Sequence, residues 1–465
     1  MKIIVIGGGP AGYTAAITAA KLGGEVTLVE RDKLGGLHLN HGCIPARSLL
    51  HIAHVYEQAL AGEEYGILAN MDLDFEKMQT KKNHIIKRLS DHLDGAISSN
   101  NIDYYNACVS FVDDNKICMR FHDGRLLELT ADKFIIASGS KPIIPPIFPM
   151  DKEDFLTADE ALRMPKLPKS MVFVGGGVVG VELATLFSTL GVDVTIVEKQ
   201  NNILNDMDQE LVKLVYKSLS KKVKIYTGAD IESIEKRPMP KLTAAMGDTY
   251  VDIIGEKVII CCGREANISG LNLHSAYINT FNGHIVVDGH QRTNHPSFYA
   301  AGDCVGGTML AHVATRQGEV AASNAMGKRA VYDGKNNPLS LYTHPEFASV
   351  GLTEKQAAEL GIDHVVGRFS LSTTLRSMLL DMEGMIKIVA GKRFGEILGV
   401  QIIAPNATDV VHEAALAIRL ESTTEDLLFA LRSRPTVGDS VREAAMAIYV
   451  ESKDWQAERF RGDVK

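Results

Sequence analysis

Cysteine is scarce in this chain, six in 465 residues, and that scarcity excludes a secreted scaffold held together by disulfides. Long apolar runs are missing too: none reaches the ~18 residues of a membrane-spanning helix, so no membrane insertion is expected. Positive charge is in deficit. The 49 basic and 57 acidic residues leave a formal charge of −8, a poor match to nucleic acid or an anionic membrane surface. There is no low-complexity tract, and no repeat beyond the two glycine-rich units below. A strand signal begins at Lys2, so no signal or transit peptide is expected, and with so few cysteines a cytoplasmic location is the expectation. The length is too great for one core and suits about three domains.

The sequence opens on MKIIVIGGGPAGYTAA. The β-branched run over 3–6 predicts a strand, Gly7, Gly9 and Gly12 a tight turn, and the Ala-rich stretch a helix. Glycines here let the backbone approach a pyrophosphate, which the helix N-terminus holds with unpaired N–H groups and its dipole. A second strand over 25–29 leads to Glu30, 18 residues beyond Gly12, near the ~20-residue spacing of a ribose-binding acid. The device recurs in MVFVGGGVVGVELATLF, with Gly175, Gly177 and Gly180, a strand over 192–197, and Glu198 again 18 residues on. Two dinucleotide units imply two dinucleotides with electrons passing between them. The Glu198 carboxylate accepts from a free ribose 2′-OH and repels a 2′-phosphate, so NADH is expected over NADPH, with the neighbouring Lys199 opposing.

With both units placed, the chain resembles the class I pyridine nucleotide-disulfide oxidoreductases, closest to the dihydrolipoamide dehydrogenases, over nearly its whole length. IIASGSKP (135–142) resembles the strand end where the chain leaves the flavin domain, and CCGREAN (261–267) the close of the nucleotide domain, with Ala266 in place of proline. FYAAGDCVGGTMLAH (298–312) resembles the second flavin-binding stretch, and YTHPEFASVGLTE (342–354) the start of the dimerisation domain. The resemblance implies an α/β fold: two Rossmann-like dinucleotide-binding domains, for FAD and NAD, plus a C-terminal α+β dimerisation domain. The expected division is 1–148 for the first part of the FAD domain, 149–267 for the NAD domain, 268–338 for a segment completing the FAD site, and 339–465 for the interface domain of a homodimer. It also implies FAD contacts at Gly36, Arg47, Ala107, Ser138, Gly139, Asp303, Leu310 and Ala311, with Asp303 bonding the ribityl chain, and NAD contacts at Ile231 and Gly263. Strand signals in 367–380 and 384–404, followed by helical 413–422, fit the last domain.

The family's redox motif, G-G-x-C-x-x-x-x-C, reads here Gly35-Gly36-Leu37-His38-Leu39-Asn40-His41-Gly42-Cys43. The substrate-attacking position is His38; the flavin-proximal one is Cys43. Imidazole forms no mixed disulfide, so thiol–disulfide exchange has no entry point. The family's base motif, His-Pro-Thr-x-x-Glu, becomes Arg434-Pro435-Thr436-Val437-Gly438-Asp439, and a histidine that shuttles protons is replaced by a permanent cation. Losing both groups points to a changed reaction; a dead enzyme that still binds FAD is the competing reading. The hydride-accepting half keeps both charges by the same resemblance, which places Arg47, standing for the family's lysine, and Glu182 as an ion pair beside the flavin; arginine for lysine keeps the charge but changes the pair's geometry.

Cys43 precedes the helix that starts near Pro45, a location that favours a thiolate; the alternative is an inert buried thiol. The other five cysteines read as structural, and none follows Cys304, which excludes the C-terminal pair of mercuric reductases. His38, His41 and Cys43 suggest metal ligands, but with no Cys-x-x-Cys no metal site is assigned. Arg432 and Arg434 either favour an anionic acceptor or serve as interface ion pairs. The expected activity is FAD-dependent transfer of electrons from NADH to a non-disulfide acceptor: a quinone, metal complex, electron carrier or oxygen. The alternatives are a one-cysteine cycle through Cys43 on a small thiol's disulfide or a peroxide, and a flavin- and NAD-loaded subunit without turnover.

Overall fold

The computed structural model describes residues 1–68, 70–236 and 238–451. Its first strands are β1 (Lys2–Ile6), β2 (Glu25–Glu30), β3 (Asp103–Phe111), β4 (Lys116–Phe121), β5 (Leu126–Thr130) and β6 (Lys133–Ile136), with helices α1 (Pro10–Lys21), α2 (Gly36–Asn40), α3 (Cys43–Leu60) and α4 (Phe75–Ser99). Ile3 and Val5 of β1 enter one hydrophobic core, Ile4 and Ile6 another. A strand buried on both faces must be apolar throughout, which is why the opening run has no polar alternation. β1 pairs in parallel with β2 and β6, aligning Ile6 with Val29 and Ile136.

The strand Phe298–Ala300, far away in sequence, joins this sheet in parallel beside β6. Phe298 stacks on Phe134 with centroids 5.0 Å apart, and Phe111 meets both rings edge-on. Such ring pairs add roughly 0.5–1.5 kcal/mol each beyond area burial, enough to help hold a strand returned from so far along the chain. The helix Ala311–Ala325 then packs on α1 so closely that a Cβ on Gly318 would lie 2.2 Å from the Ala11 carbonyl oxygen. Met1–Pro168 and Lys257–Asp333 together form this first compact unit.

The second unit comprises Lys169–Glu256 and the residues from Gly334 onward. It repeats the opening device: parallel strands Ser170–Val174, Asp193–Val197 and Val223–Tyr226, with the helix Val178–Thr189 following the first. A five-stranded antiparallel sheet, in the order Leu339–Leu341, Glu346–Gly351, Ile397–Ala404, Met385–Gly391 and His364–Ser370, carries the helices Ala407–Arg419 and Asp439–Glu451. The predicted strands in 384–404 are present. Within 367–380 only the first residues are strand: Thr374 caps a short helix, Leu375–Leu380, by accepting from the Ser377 N–H at 3.2 Å, and that local bond diverts the chain from the ladder. Lys387, 3% exposed, is matched by carboxylates of Asp208 at 2.9 Å, Glu210 at 2.8 Å and Glu354 at 2.7 Å, so a charge inside the unit is compensated. Among the described residues no helix is long and apolar enough to cross a membrane.

Candidate active site

The first glycine loop is set by four hydrogen bonds, three of them between backbone groups. Gly7 N–H donates to the Val29 carbonyl at 2.7 Å, Gly8 N–H to Glu30 Oε2 at 2.6 Å, Gly35 N–H to the Gly8 carbonyl at 2.8 Å, and Tyr13 N–H to the Gly9 carbonyl at 2.9 Å. Glu30 is buried and its second oxygen accepts from Asp32 N–H at 2.8 Å, so the acid that sequence spacing assigns to a ribose also braces its own loop. A Cβ on Gly12 would fall 1.7 Å from the Gly7 carbonyl oxygen, and one on Gly36 2.7 Å from the Gly9 Cα. Gly9 is different. It caps the twelve-residue α1 in an extended conformation, and a Cβ there would meet nothing within 4 Å. Open space at the head of a helix, walled by glycines and facing unpaired N–H groups, fits the pyrophosphate of FAD.

The second loop repeats these bonds one for one. Gly175 N–H donates to the Val197 carbonyl at 2.8 Å, Gly176 N–H to Glu198 Oε2 at 2.5 Å, Leu204 N–H to the Gly176 carbonyl at 2.9 Å, and Val181 N–H to the Gly177 carbonyl at 2.9 Å. Gly177 caps its helix as Gly9 does, again with open space where a Cβ would be. Gly180 lies in that helix, buried. Glu198 also accepts from Gln200 N–H at 2.6 Å, and Lys199 turns to Asp230 at 2.8 Å. Ile231 lies on the adjacent strand Asp230–Glu235. Gly263, by contrast, belongs to the first unit, where its carbonyl accepts from Ile143 N–H at 3.0 Å.

α2 carries the altered redox segment. His38 is partly buried and its Nδ1 has no hydrogen-bond partner. Burial, followed by the nearby charges of Arg47 and His312, lowers its pKa below the ordinary value, so the neutral ring is favoured at neutral pH. His41 Nε2 lies 2.8 Å from Asp32 Oδ2, its Nδ1 also buried without a partner. Cys43 is the first residue of the eighteen-residue α3, and Arg47 lies one turn further on. None of the six cysteines is in a disulfide. Among the described residues, His38, His41 and Cys43 do not converge their ligand atoms on one point. Ala107 is buried in β3. Ser138 and Gly139 follow β6, and Leu310 and Ala311 stand at the N-terminus of the helix Ala311–Ala325.

In the second unit Glu182 is 6% exposed and its Oε1 accepts from Tyr342 N–H at 2.9 Å. Arg434 pairs with Asp439 at 2.9 Å and with Glu443 at 3.1 Å, so the segment that resembles a His–Glu base pair holds an Arg–Asp ion pair. Arg432 bonds Glu413 and donates to the carbonyls of Leu427 at 2.7 Å and Ala430 at 3.0 Å. These contacts hold the Arg432 guanidinium within its own unit. Sequence reading missed His312 as a neighbour of His38. It also missed Asn106, whose amide donates to the carbonyls of Glu30 at 3.1 Å and Asp32, locking the end of β2. Neither belongs to a spacing pattern; both are brought there by chain crossovers.

A sequence model of the pyridine nucleotide-disulphide oxidoreductases matches residues 1–318, and one of that family's dimerisation domain matches residues 337–445. The dihydrolipoyl dehydrogenase of Geobacillus stearothermophilus is 38% identical over 445 residues, covering 94% of each chain. One from Bacillus subtilis is 34% identical over 445 residues, covering 95% of this chain and 97% of its own. Among solved structures, LpdA from Mycobacterium tuberculosis superposes with a TM-score of 0.90 at 26% identity, covering 96% of this chain and 99% of its own. By motif, fold and likeness together, this chain belongs to the pyridine nucleotide-disulphide oxidoreductase family of FAD- and NAD-binding oxidoreductases and carries that family's dimerisation domain.

Proposed function

We propose that this protein is a homodimeric, FAD-dependent NADH oxidoreductase that delivers electrons to an acceptor other than a disulfide. The relatives are dihydrolipoyl dehydrogenases, and the residue that separates this chain from their chemistry is His38. A neutral imidazole donates or accepts a hydrogen bond, but it cannot attack a disulfide and leave as a thiolate. Arg434, held by Asp439 and Glu443, stays protonated and takes no proton from a substrate thiol. Bound FAD would supply a two-electron store between NADH and the acceptor.

The residues present divide the remaining work. Gly9, with the head of α1, and Glu30 hold the FAD; Gly177 and Glu198 hold NADH; Arg47 and Glu182 supply the charges that the family resemblance assigns to hydride transfer. Glu198 favours NADH, and the contact of Lys199 with Asp230 supports that preference by drawing the one adjacent cation aside. The functional division that goes with this reading is 1–148 and 268–338 for flavin, 149–267 for nicotinamide, and 339–465 for the dimer interface. An anaerobic acceptor screen tests it: NADH should bleach the flavin within milliseconds to seconds, and quinones or chelated metals should restore it while lipoamide does not. Rapid reoxidation by lipoamide would overturn the proposal.

A second reading is favoured by one observation, the position of Cys43 at the head of a long helix, partly exposed. There a single thiol could cycle through sulfenic acid or a mixed disulfide with a small thiol. Loss of one titratable thiol per subunit during turnover would select it.

A further inference from the structure

Three residues remote in sequence form a hydrogen-bonded chain in the first unit, extended to a fourth by an ion pair, and the motif resemblance assigns no role to the link. Asp303 opens the short turn Asp303–Val305, and its Oδ2 accepts from the Ser140 hydroxyl at 2.5 Å. Ser140 Oγ in turn accepts from Arg264 Nε at 2.9 Å, and the Ser140 carbonyl from Arg264 Nη2 at 3.2 Å. The far side of the same guanidinium, Nη1, lies 3.7 Å from Asp159 Oδ1. Arg264 and Asp159 are about four-fifths buried, with side-chain exposures of 21% and 19%. The antiparallel pairing of Ser140–Pro142 with Arg264–Ala266 sets the spacing of Ser140 and Arg264.

We propose that Arg264 and Ser140 are positioning residues for the flavin, fixing the Asp303 carboxylate so that its Oδ1 faces the ribityl chain and offsetting its charge through the guanidinium. A serine hydroxyl has one proton. With Arg264 donating to its oxygen, that proton has one well-placed acceptor, Asp303 Oδ2, and the two bonds reinforce each other. The carboxylate thereby loses its freedom to rotate, and one oxygen is left for a ligand hydroxyl. Arg264 cannot swing away, because Asp159 holds it from behind and its fork already grips both oxygens of Ser140. A lysine could supply the charge there but not the three-way geometry. The inference rests on the assignment of Asp303 to the flavin.

The test is FAD titration of the apoprotein by flavin fluorescence, together with the flavin midpoint potential and the apoprotein Tm. Ser140→Ala and Arg264→Gln should each weaken FAD by about tenfold, and Arg264→Lys should recover only part of the loss. Arg264→Gln should also weaken the reduced flavin about tenfold more than the oxidised, a potential lower by ~30 mV, because the Asp303 charge is then uncompensated. A merely structural role would lower the apoprotein Tm and leave the potential unmoved. If Arg264→Gln does not fold, Ser140→Ala decides, since it removes one oxygen. Asp303→Asn serves as the control. Wild-type affinity in that variant overturns the flavin assignment and the proposal together; weakened FAD there with unchanged affinity and potential in the Ser140 and Arg264 variants overturns the proposal alone.

Discussion

The two glycine loops and the redox segment between 35 and 43 have diverged from the family pattern to very different degrees. Gly7–Gly9 and Gly175–Gly177 make the same bonds to the same kinds of partner, down to a carboxylate that accepts from the second glycine's N–H at 2.6 Å in one and 2.5 Å in the other. The redox segment keeps its glycines and one sulfur but carries an imidazole in the attacking position. On the proposed reading, loops that bind by backbone shape are kept where hydride enters, and the group that must change its covalent bonds is replaced where electrons leave. The loops differ in one detail: a Cβ on Gly36 would lie 2.7 Å from the Gly9 Cα, whereas in the second loop Leu204 takes the place of Gly35 as donor.

The largest effect separates the two halves directly. Lipoamide-dependent NADH oxidation, measured without oxygen, should run on the order of 10³-fold or more below the rate with an artificial acceptor, the scale on which removal of a nucleophile acts. Comparable rates would break the comparison, since the altered segment would then be doing the work that its residues rule out.

Next in size are the glycine variants. Gly9→Ala places a methyl where the protein has nothing within 4 Å, so the chain should fold by circular dichroism yet hold FAD roughly 100-fold more weakly, about 2.7 kcal/mol. Gly177→Ala should keep its FAD and raise KM for NADH by roughly the same factor. Equal effects of both variants on bound flavin would show that the loops are not assigned to separate nucleotides.

Much of this was legible in the sequence because its signals are local. The strand–glycine–helix units, with acids 18 residues beyond Gly12 and Gly180, carry their geometry in spacing alone, and both fold as expected. His38 and Arg434 stand out in the sequence itself as departures from the motifs it resembles. What the sequence hid is long-range. Asn106 locking Glu30, the Phe111–Phe134–Phe298 cluster and the Asp159–Arg264–Ser140–Asp303 chain each join segments that only the crossovers of the sheet bring together. The role of Arg432 was hidden for the same reason: two of its partners are main-chain carbonyls, which leave no trace in composition. The helix Leu375–Leu380 was missed because its cap, Thr374, competes locally with a strand pattern that continues on either side.

A moderate effect sharpens the reading of the second loop. kcat/KM for NADH should exceed that for NADPH by roughly tenfold or more, since a 2′-phosphate brought to Glu198 meets a like charge. Glu198→Gln should narrow the gap, and Lys199→Ala should leave it unchanged, because the lysine already turns away to Asp230. An NADPH preference in the unaltered protein would mean that another group overrides the carboxylate.

The smallest effect belongs to the one sulfur the redox segment retains. If electrons leave from the flavin itself, Cys43 lies beside the path and not on it, because no second thiol in the segment can resolve a bond made at its sulfur. Cys43→Ser should then keep FAD bound, since the side chain differs by one atom and α3 is unchanged. NADH-dependent reduction of a quinone should fall by no more than about tenfold, under ~1.4 kcal/mol in barrier. Any long-wavelength band from thiolate-to-flavin charge transfer should vanish, which reports the contact independently of turnover. Normal bleaching by NADH with no turnover in the same variant would place the sulfur on the path and replace this reading with the one-cysteine cycle.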